Sequence, residues 1–153
     1  MKALGILLAL FVGLSAHAEP GDYHIITHGF SYHTVPRPSD PQWNQVNPGH
    51  GIRYELNDTV SIQAGFYKNS YYRNSVYAGV DWTPLDLKIP DVGSLSTGRL
   101  QMGGFIGLAS GYTDKAGVAG GGLVRWQGQK FSLAVRIVPA KCTIFALEMG
   151  YKF

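Results

Sequence analysis

The sequence contains a single cysteine, few charged residues and no apolar segment long enough to cross a bilayer as a helix. Because Cys142 has no second cysteine to pair with, a disulfide within the chain is excluded. Charged residues make up 15% of the chain, below the usual quarter. The net charge is only +3, and the basic residues neither cluster nor alternate with aromatic residues, so we predict no nucleic-acid partner.

The longest apolar run, Ala3 to Leu14, has the features of an export signal instead. Lys2 precedes it, and the small-x-small sequence Ala16-His17-Ala18 follows it, which is typical of a signal-peptidase site. We therefore expect residues 1–18 to be a cleaved signal peptide and residues 19–153 to form one domain. An uncleaved N-terminal membrane anchor is the alternative, but the run is too short for a spanning helix.

The last eleven residues, Thr143 to Phe153, show the clearest periodicity in the chain. Every second residue from the end is apolar or aromatic, and the intervening residues are small or charged apart from Ile144. A period of two predicts a β-strand with one apolar face. Seven earlier segments alternate in a similar way, over residues 23–33, 50–56, 59–69, 75–82, 100–110, 123–127 and 131–137. The chain therefore predicts eight antiparallel strands in an all-β barrel.

The connections between these segments are mostly short, and two are long. Asn57-Asp58 and Gln127-Gly128-Gln129 are typical of tight turns, whereas Thr34 to Pro48 and Pro84 to Gly98 are long connections. The first strand has an irregular phase, because His24 and His28 share a face with Ile26, Phe30 and Tyr32. Either the two histidines lie near a membrane interface or the strand contains a bulge, and the sequence leaves both open.

Alternation alone does not say which face of the barrel points inward. A soluble barrel would bury the apolar face, whereas a transmembrane barrel turns that face to lipid and the polar face to its lumen. The less apolar face is rich in glycine, which suits a narrow eight-stranded lumen. It also carries few charges, of both signs, which can neutralise one another inside: Arg53, Glu55, Asp81, Arg125, Arg136, Glu148 and Lys152. We predict a transmembrane barrel with a filled lumen, and a girdle of Trp82, Trp126, Tyr151 and Phe153 at the interface.

Polar residues gather where the first four strands end at the outer rim. Ser31 and His33 are two residues apart on one strand and so point to the same side, as a catalytic nucleophile and base for acyl transfer would. Candidate substrate-binding residues are Asn47, Asn69, Arg73, Ser75 and Tyr77. The competing interpretation is that these are ordinary polar residues of a wet rim. We predict no metal and no cofactor, because His24 and His28 lack a suitably spaced set of partners.

The alternating strand that ends in Phe153 resembles the closing strand of bacterial outer-membrane β-barrels. In pattern, residues 19–153 are similar to small eight-stranded barrels such as the lipid A palmitoyltransferase, the lipid A 3-O-deacylase and the OmpX-like adhesion barrels. The resemblance implies a monomer in the bacterial outer membrane, in contact with lipopolysaccharide and recognised by the barrel-assembly machinery through its C-terminal strand.

Two features depart from the enzymes of this group. The deacylase pattern has His and Ser two apart with a distant acidic residue, whereas here Ser31 precedes His33 and the rim of the first four strands offers only Asp40 as an acid. The palmitoyltransferase has a helix before its first strand, and residues 19–22 are too short for one. The first hypothesis is a lipid A acyl-modifying enzyme, either a deacylase or an acyltransferase. The alternative is a non-enzymatic surface barrel for binding, adhesion or membrane integrity.

Overall fold

The structure, a computed structural model, describes residues 21–39, 41–90, 98–113, 115–140 and 142–153. The predicted signal peptide, residues 1–18, and the rim residue Asp40 lie outside these ranges. The described residues form eight strands: β1 (Tyr23–His33), β2 (Val46–Glu55), β3 (Val60–Lys68), β4 (Asn74–Lys88), β5 (Arg99–Ala109), β6 (Gly117–Gln127), β7 (Phe131–Val138) and β8 (Ile144–Lys152).

The strands close into a single barrel in which each strand pairs antiparallel with its neighbours in sequence. β1 also pairs with β8, from His24–Lys152 to His33–Ile144, and this pairing closes the sheet. Closure removes the unpaired edges that an open sheet would leave, which is a requirement for β-structure in lipid. The predicted fold, an eight-stranded antiparallel transmembrane β-barrel, is confirmed. In the part of the chain that the structure describes, no helix is long and apolar enough to cross a membrane.

The irregular phase of β1 is explained by a β-bulge. The pairing of β1 with β8 passes from His28–Glu148 directly to Phe30–Leu147, so Gly29 is an extra residue. Before the bulge the lumen-facing residues are His24, Ile26 and His28, and after it they are Ser31 and His33. Of the two readings that the sequence leaves open, the structure supports the bulge.

Two predicted connections are shorter in the structure than the sequence suggests. β2 begins at Val46 rather than at His50, so the first connection covers residues 34–45. β4 continues through Pro84 to Lys88, where the sequence predicted a loop. A register shift between Trp82 and Leu85 places Pro84 in a bulge, so its missing N–H leaves no gap in the ladder.

The lumen is filled by a network of ion pairs that the mixed charges predict. Asp81 accepts hydrogen bonds from Arg125 and Arg136, and Glu148 accepts one from Arg136 and lies 3.5 Å from Arg53. All five side chains are buried. Outside the barrel, apolar side chains are exposed on every strand, including Ile52, Phe66, Val118 and Met149. The polar face therefore points inward and the apolar face outward, as predicted for a barrel in lipid.

Candidate functional site

A cavity of about 320 Å³ occupies the end of the barrel where β1, β3, β5 and β7 finish. We call this end the rim. Apolar residues and glycines make up most of the cavity lining, and a smaller group of polar side chains also lines it: His28, Ser31, Asn47, Gln63, Tyr67, Ser70, Tyr77, Tyr112 and Arg136. Such a combination, an apolar chamber with a few placed polar groups, is typical of a site for a small ligand.

The cavity is lined by residues from both faces of the barrel wall. Its lining includes lumen-facing residues such as Tyr77 and Arg136 and also outward-facing residues such as Ile106, Leu108 and Val118. The three outward-facing side chains are more than half exposed on the apolar outside of the barrel. A ligand in the cavity would therefore contact both the lumen and the surface that faces lipid.

Beside the cavity, the ladder between β6 and β7 stops early. β6 pairs with β5 as far as Gly117, but its pairing with β7 ends at Gly122–Ile137. Pro139 follows β7 directly and has no N–H to extend the ladder. Gly117, Val118 and Ala119 line the cavity on one side of this gap, and Val138 and Ile144 line it on the other. We call this gap the β6–β7 portal.

Ser31, the predicted nucleophile, is buried at the edge of the cavity. Its Oγ donates a hydrogen bond to Oδ1 of Asn47 at 2.6 Å. The amide group of Asn47 donates in turn to the carbonyl oxygens of Lys68, at 2.9 Å, and Asn44, at 3.3 Å. Two predicted site residues, Ser31 and Asn47, are therefore in direct contact, and the position of the serine oxygen is fixed by the loop end of β3.

His33, the predicted base, has a different environment. Its ring stacks on Trp43, with ring centroids 4.9 Å apart and an interplanar angle of 12°. The ring is buried, and neither of its nitrogens hydrogen-bonds to another described group. His33 is not among the residues that line the cavity. Ser31 and His33 point to the same side as predicted, but the structure does not join them by a hydrogen bond.

His28, which the sequence left without a role, faces the cavity. Its Nε2 lies 2.7 Å from the hydroxyl of Tyr77, and the two rings meet almost perpendicularly. Tyr77, a predicted substrate-binding residue, packs over Gly51 and Gly65, where a Cβ would overlap the tyrosine hydroxyl and the tyrosine ring, respectively. The signal that could have identified His28 is its neighbour Gly29, because glycine within a strand often marks a bulge.

Three other predicted binding residues lie away from the cavity. The side chain of Asn69 is fully buried and joins Ser75, the carbonyl of Gly111 and the backbone N–H groups of Tyr71 and Arg73. Ser75 donates to the carbonyl of Ser110 at 2.6 Å. Arg73 is exposed on the rim. The contacts of Asn69 and Ser75 hold the rim loops together, so neither is presented to a ligand in the cavity.

The loop after β5 contributes Tyr112 to the lining of the cavity. The hydroxyls of Tyr112 and Tyr67 lie 3.0 Å apart. Burial raises the pKa of the Tyr112 phenol above its usual value, with a further contribution from Tyr67, so the Tyr112 hydroxyl is available as a neutral hydrogen-bonding group. Across the described ranges, no group of three or more His, Cys, Asp or Glu residues is placed to hold a metal ion.

The fold and the outward apolar surface define the class: this is a β-barrel of the transmembrane type. No family model matches the sequence, and no curated protein matches it significantly. Among solved structures, a de novo designed transmembrane β-barrel is similar with a TM-score of 0.64 and 16% identity, covering 88% of this chain and 98% of the designed one.

Two natural barrels are more distant. The N-terminal β-barrel domain of Pseudomonas aeruginosa OprF has a TM-score of 0.45 and 17% identity, covering 88% of this chain and 98% of that one. The Yersinia pestis outer-membrane protein Ail has a TM-score of 0.43 and 13% identity, covering 87% of this chain and 99% of that one. At these identities the similarities concern the fold alone.

Proposed function

We propose that this protein is a barrel of the bacterial outer membrane that takes an acyl chain of an outer-leaflet lipid into its cavity and modifies it. The observation that carries the proposal is the β6–β7 portal, a gap in the ladder beside a cavity whose lining includes both Ser31 and outward-facing apolar residues. A lipid chain can enter there without leaving the hydrocarbon phase, so little apolar surface would be exposed to water.

The size and lining of the cavity suit a single chain. A volume of about 320 Å³ is near the lower end of the range for ligand sites, which excludes a whole multi-chain lipid. Phe105, Ile106, Leu108 and Val118 supply an apolar wall, and the hydrogen-bonding groups Ser31, Asn47 and Tyr77 lie in the same cavity. This arrangement supports a lipid A deacylase or acyltransferase, in which the chain lies in the wall and its ester bond reaches the polar group.

The test is mass spectrometry of lipid A from Gram-negative cells with and without the protein. We expect a change in mass equal to one acyl chain, absent in a Ser31→Ala variant that still folds as judged by heat-modifiable migration. Unchanged lipid A in cells with a correctly folded wild-type barrel would contradict the enzymatic proposal.

The non-enzymatic alternative is favoured by a separate observation, the built surface formed by the connection after β1. Arg37 lies over the rings of Trp43 and Tyr71, at 5.5 and 5.1 Å, and the backbone N–H of Asn44 donates to the carbonyl of Ser70. A loop fixed in this way loses little conformational entropy when it binds a partner. If adhesion of intact cells were lost in Trp43→Ala while their lipid A stayed unmodified throughout, the alternative would replace the enzyme.

We also propose that the barrel-assembly machinery recognises β8. Phe153 is 69% exposed, and its backbone N–H donates to the carbonyl of Tyr23, so the aromatic ring extends beyond the closed β1–β8 ladder. Phe153→Ala should slow insertion in cells but leave spontaneous folding into detergent unchanged. Equal slowing of insertion in cells and of folding into detergent would mean that the Phe153 ring acts only through the stability of the barrel.

A further inference from the structure

The bulge at Gly29 brings His28 and Ser31 onto one face of β1. Residues three apart in a regular strand point to opposite faces. The extra residue changes this, so His28 and Ser31 become successive lumen-facing residues, and both line the cavity. His33, one step further along the same face, is outside the lining and stacked on Trp43.

Tyr77 holds the imidazole of His28 in one orientation. With Nε2 at 2.7 Å from the Tyr77 hydroxyl, Nδ1 is the ring nitrogen left for other partners. When Nε2 carries the proton and donates it to the Tyr77 oxygen, Nδ1 is the basic atom. Tyr77 is itself fixed by its contacts with His28 and Tyr67 and by the absence of a side chain at Gly51. A base oriented by a third group is the arrangement that activates a nucleophile.

Ser31 supplies a hydroxyl on the same cavity-lining face of β1, and in the structure its Oγ donates to Asn47 rather than to His28. The Ser31 Oγ is anchored by Asn47, but its hydrogen can rotate about the Cβ–Oγ bond toward another acceptor without moving the oxygen. Catalytic hydrogen bonds are often loose until the substrate is bound. When an ester binds in the cavity, the Ser31 hydrogen would turn away from Asn47. The Asn47 side chain would stay in place, because its amide group donates to the carbonyls of Lys68 and Asn44.

We infer that Ser31 and His28 are the nucleophile and the general base of acyl-ester chemistry in this cavity, with Tyr77 as the residue that positions His28. The inference rests on the proposed function, because it assumes that a lipid ester enters through the β6–β7 portal. It assigns the base to a residue for which the sequence alone suggested no role.

The reaction balances with an ester and water or an alcohol as reactants. The Ser31 oxygen bonds to the ester carbonyl carbon while its proton moves to His28. The tetrahedral intermediate collapses, the carbon–oxygen bond to the lipid breaks, and the departing alkoxide takes the proton from His28. The acyl group on Ser31 is then released by water, activated by the same base, to give a carboxylic acid. An acceptor hydroxyl in place of water gives acyl transfer.

The experiment uses the full barrel in lipid A vesicles and measures two quantities for each variant. The first is binding of a fluorescent long-chain fatty acid, and the second is acyl release or transfer by mass spectrometry. We expect His28→Gln and Ser31→Ala to bind the probe as the wild type does but to lose activity by about 100-fold or more, the usual range for removing a general base or its nucleophile. His33→Gln should stay within about twofold of wild type, since His33 is outside the cavity.

Tyr77→Phe tests whether Tyr77 acts by positioning the His28 ring or only by packing in the barrel. It removes the hydroxyl that holds His28 and keeps the ring, so activity should fall by about tenfold and the acidic limb of its pH–rate profile should move. An acid-quenched wild-type reaction should also show a protein mass increase of one acyl group, absent in Ser31→Ala.

The possible results distinguish the inference from the proposed function. Full activity in His28→Gln, or activity lost in His33→Gln and kept in His28→Gln, would overturn the assignment of the base. Probe binding without turnover in the wild type would overturn the catalytic inference and leave an acyl-binding barrel. A wild type that binds no probe would remove the proposed function itself.

Discussion

Arg136 and Asp81 join opposite sides of the barrel through two hydrogen bonds. Arg136 on β7 donates from Nη1 to Oδ1 of Asp81 at 2.7 Å and from Nη2 to Oδ2 at 3.0 Å. Arg125 donates to the same carboxylate at 2.5 Å. Asp81 is 1% exposed, so the low dielectric of the lumen strengthens these pairs and makes the loss of the carboxylate costly. These pairs occupy the lumen with buried side chains.

Asp81→Asn should destabilise the barrel by about 3–5 kcal/mol, because it leaves the buried cations Arg125 and Arg136 without full compensation. The measurement is the free energy of unfolding by denaturant of the barrel reconstituted in lipid vesicles. Asp86→Asn is the matched control. Its partner Arg99 is 50% exposed, and a partly exposed pair contributes about 0–1 kcal/mol. Similar losses in the two variants would show that the lumen pairs are no stronger than surface pairs.

Ile52→Arg tests whether the apolar outside faces lipid. Ile52 lies in the middle of β2 and is 54% exposed. An arginine at the centre of the bilayer costs a transmembrane barrel about 2–4 kcal/mol, and one near the interface costs about 0–1 kcal/mol. Val46→Arg, at the first residue of β2, supplies the control near the rim. Equal unfolding free energies for the two variants in vesicles would argue for a barrel in water.

The strand pattern was predictable because the outward face repeats without interruption in most strands. In β8, Phe145, Met149 and Tyr151 are all exposed on the outside, as their spacing indicates. The alternation of outward-facing and lumen-facing residues failed as a predictor where a bulge changes its phase. Periodicity showed that β1 was irregular, but only the pairing with β8 identifies Gly29 as the extra residue. The extension of β4 past Pro84 was missed for the same reason.

The site was less predictable, because it depends on contacts between distant strands. Ser31 and Asn47 were named from the sequence and do meet, since both face the lumen at the rim. His28 required knowledge of the bulge, and the β6–β7 portal required knowledge of where two strands stop pairing. The sequence alone could not show that Asn69 is buried among the rim loops, because the residue type does not indicate whether an asparagine side chain is exposed or buried.

Tyr112 predicts a dependence of stability on alkaline pH. Its phenol has a raised pKa in the folded barrel, because burial disfavours the charged form. In the unfolded chain the phenol loses its proton near pH 10. The contribution of Tyr112 to stability should therefore be constant below about pH 10 and fall above it, by at most about 1.4 kcal/mol per pH unit. Unfolding measured between pH 8 and 11 should show a smaller slope in Tyr112→Phe, and the exposed Tyr72→Phe should match the wild type.

Ala119→Trp tests the β6–β7 portal. Ala119 lines the cavity beside the gap, so an indole at this position should fill the path between the lumen and the outside. We expect binding of the fluorescent fatty acid to weaken by at least about tenfold, since the displaced chain loses its apolar contacts with the wall. Val76→Trp is the matched control, because Val76 is exposed on the outside of β4 and is not part of the cavity lining.

Both tryptophan variants add the same apolar bulk to the barrel, and heat-modifiable migration checks that each one folds. Their comparison isolates the portal from any general effect of a larger side chain. Weak binding in both would indicate a perturbed barrel, and strong binding in both would place the route of the acyl chain elsewhere. Only a loss of fatty-acid binding confined to Ala119→Trp identifies the gap as the entrance. The acyl chain would then pass between Val118 and Ile144, which line the cavity on the two sides of the gap.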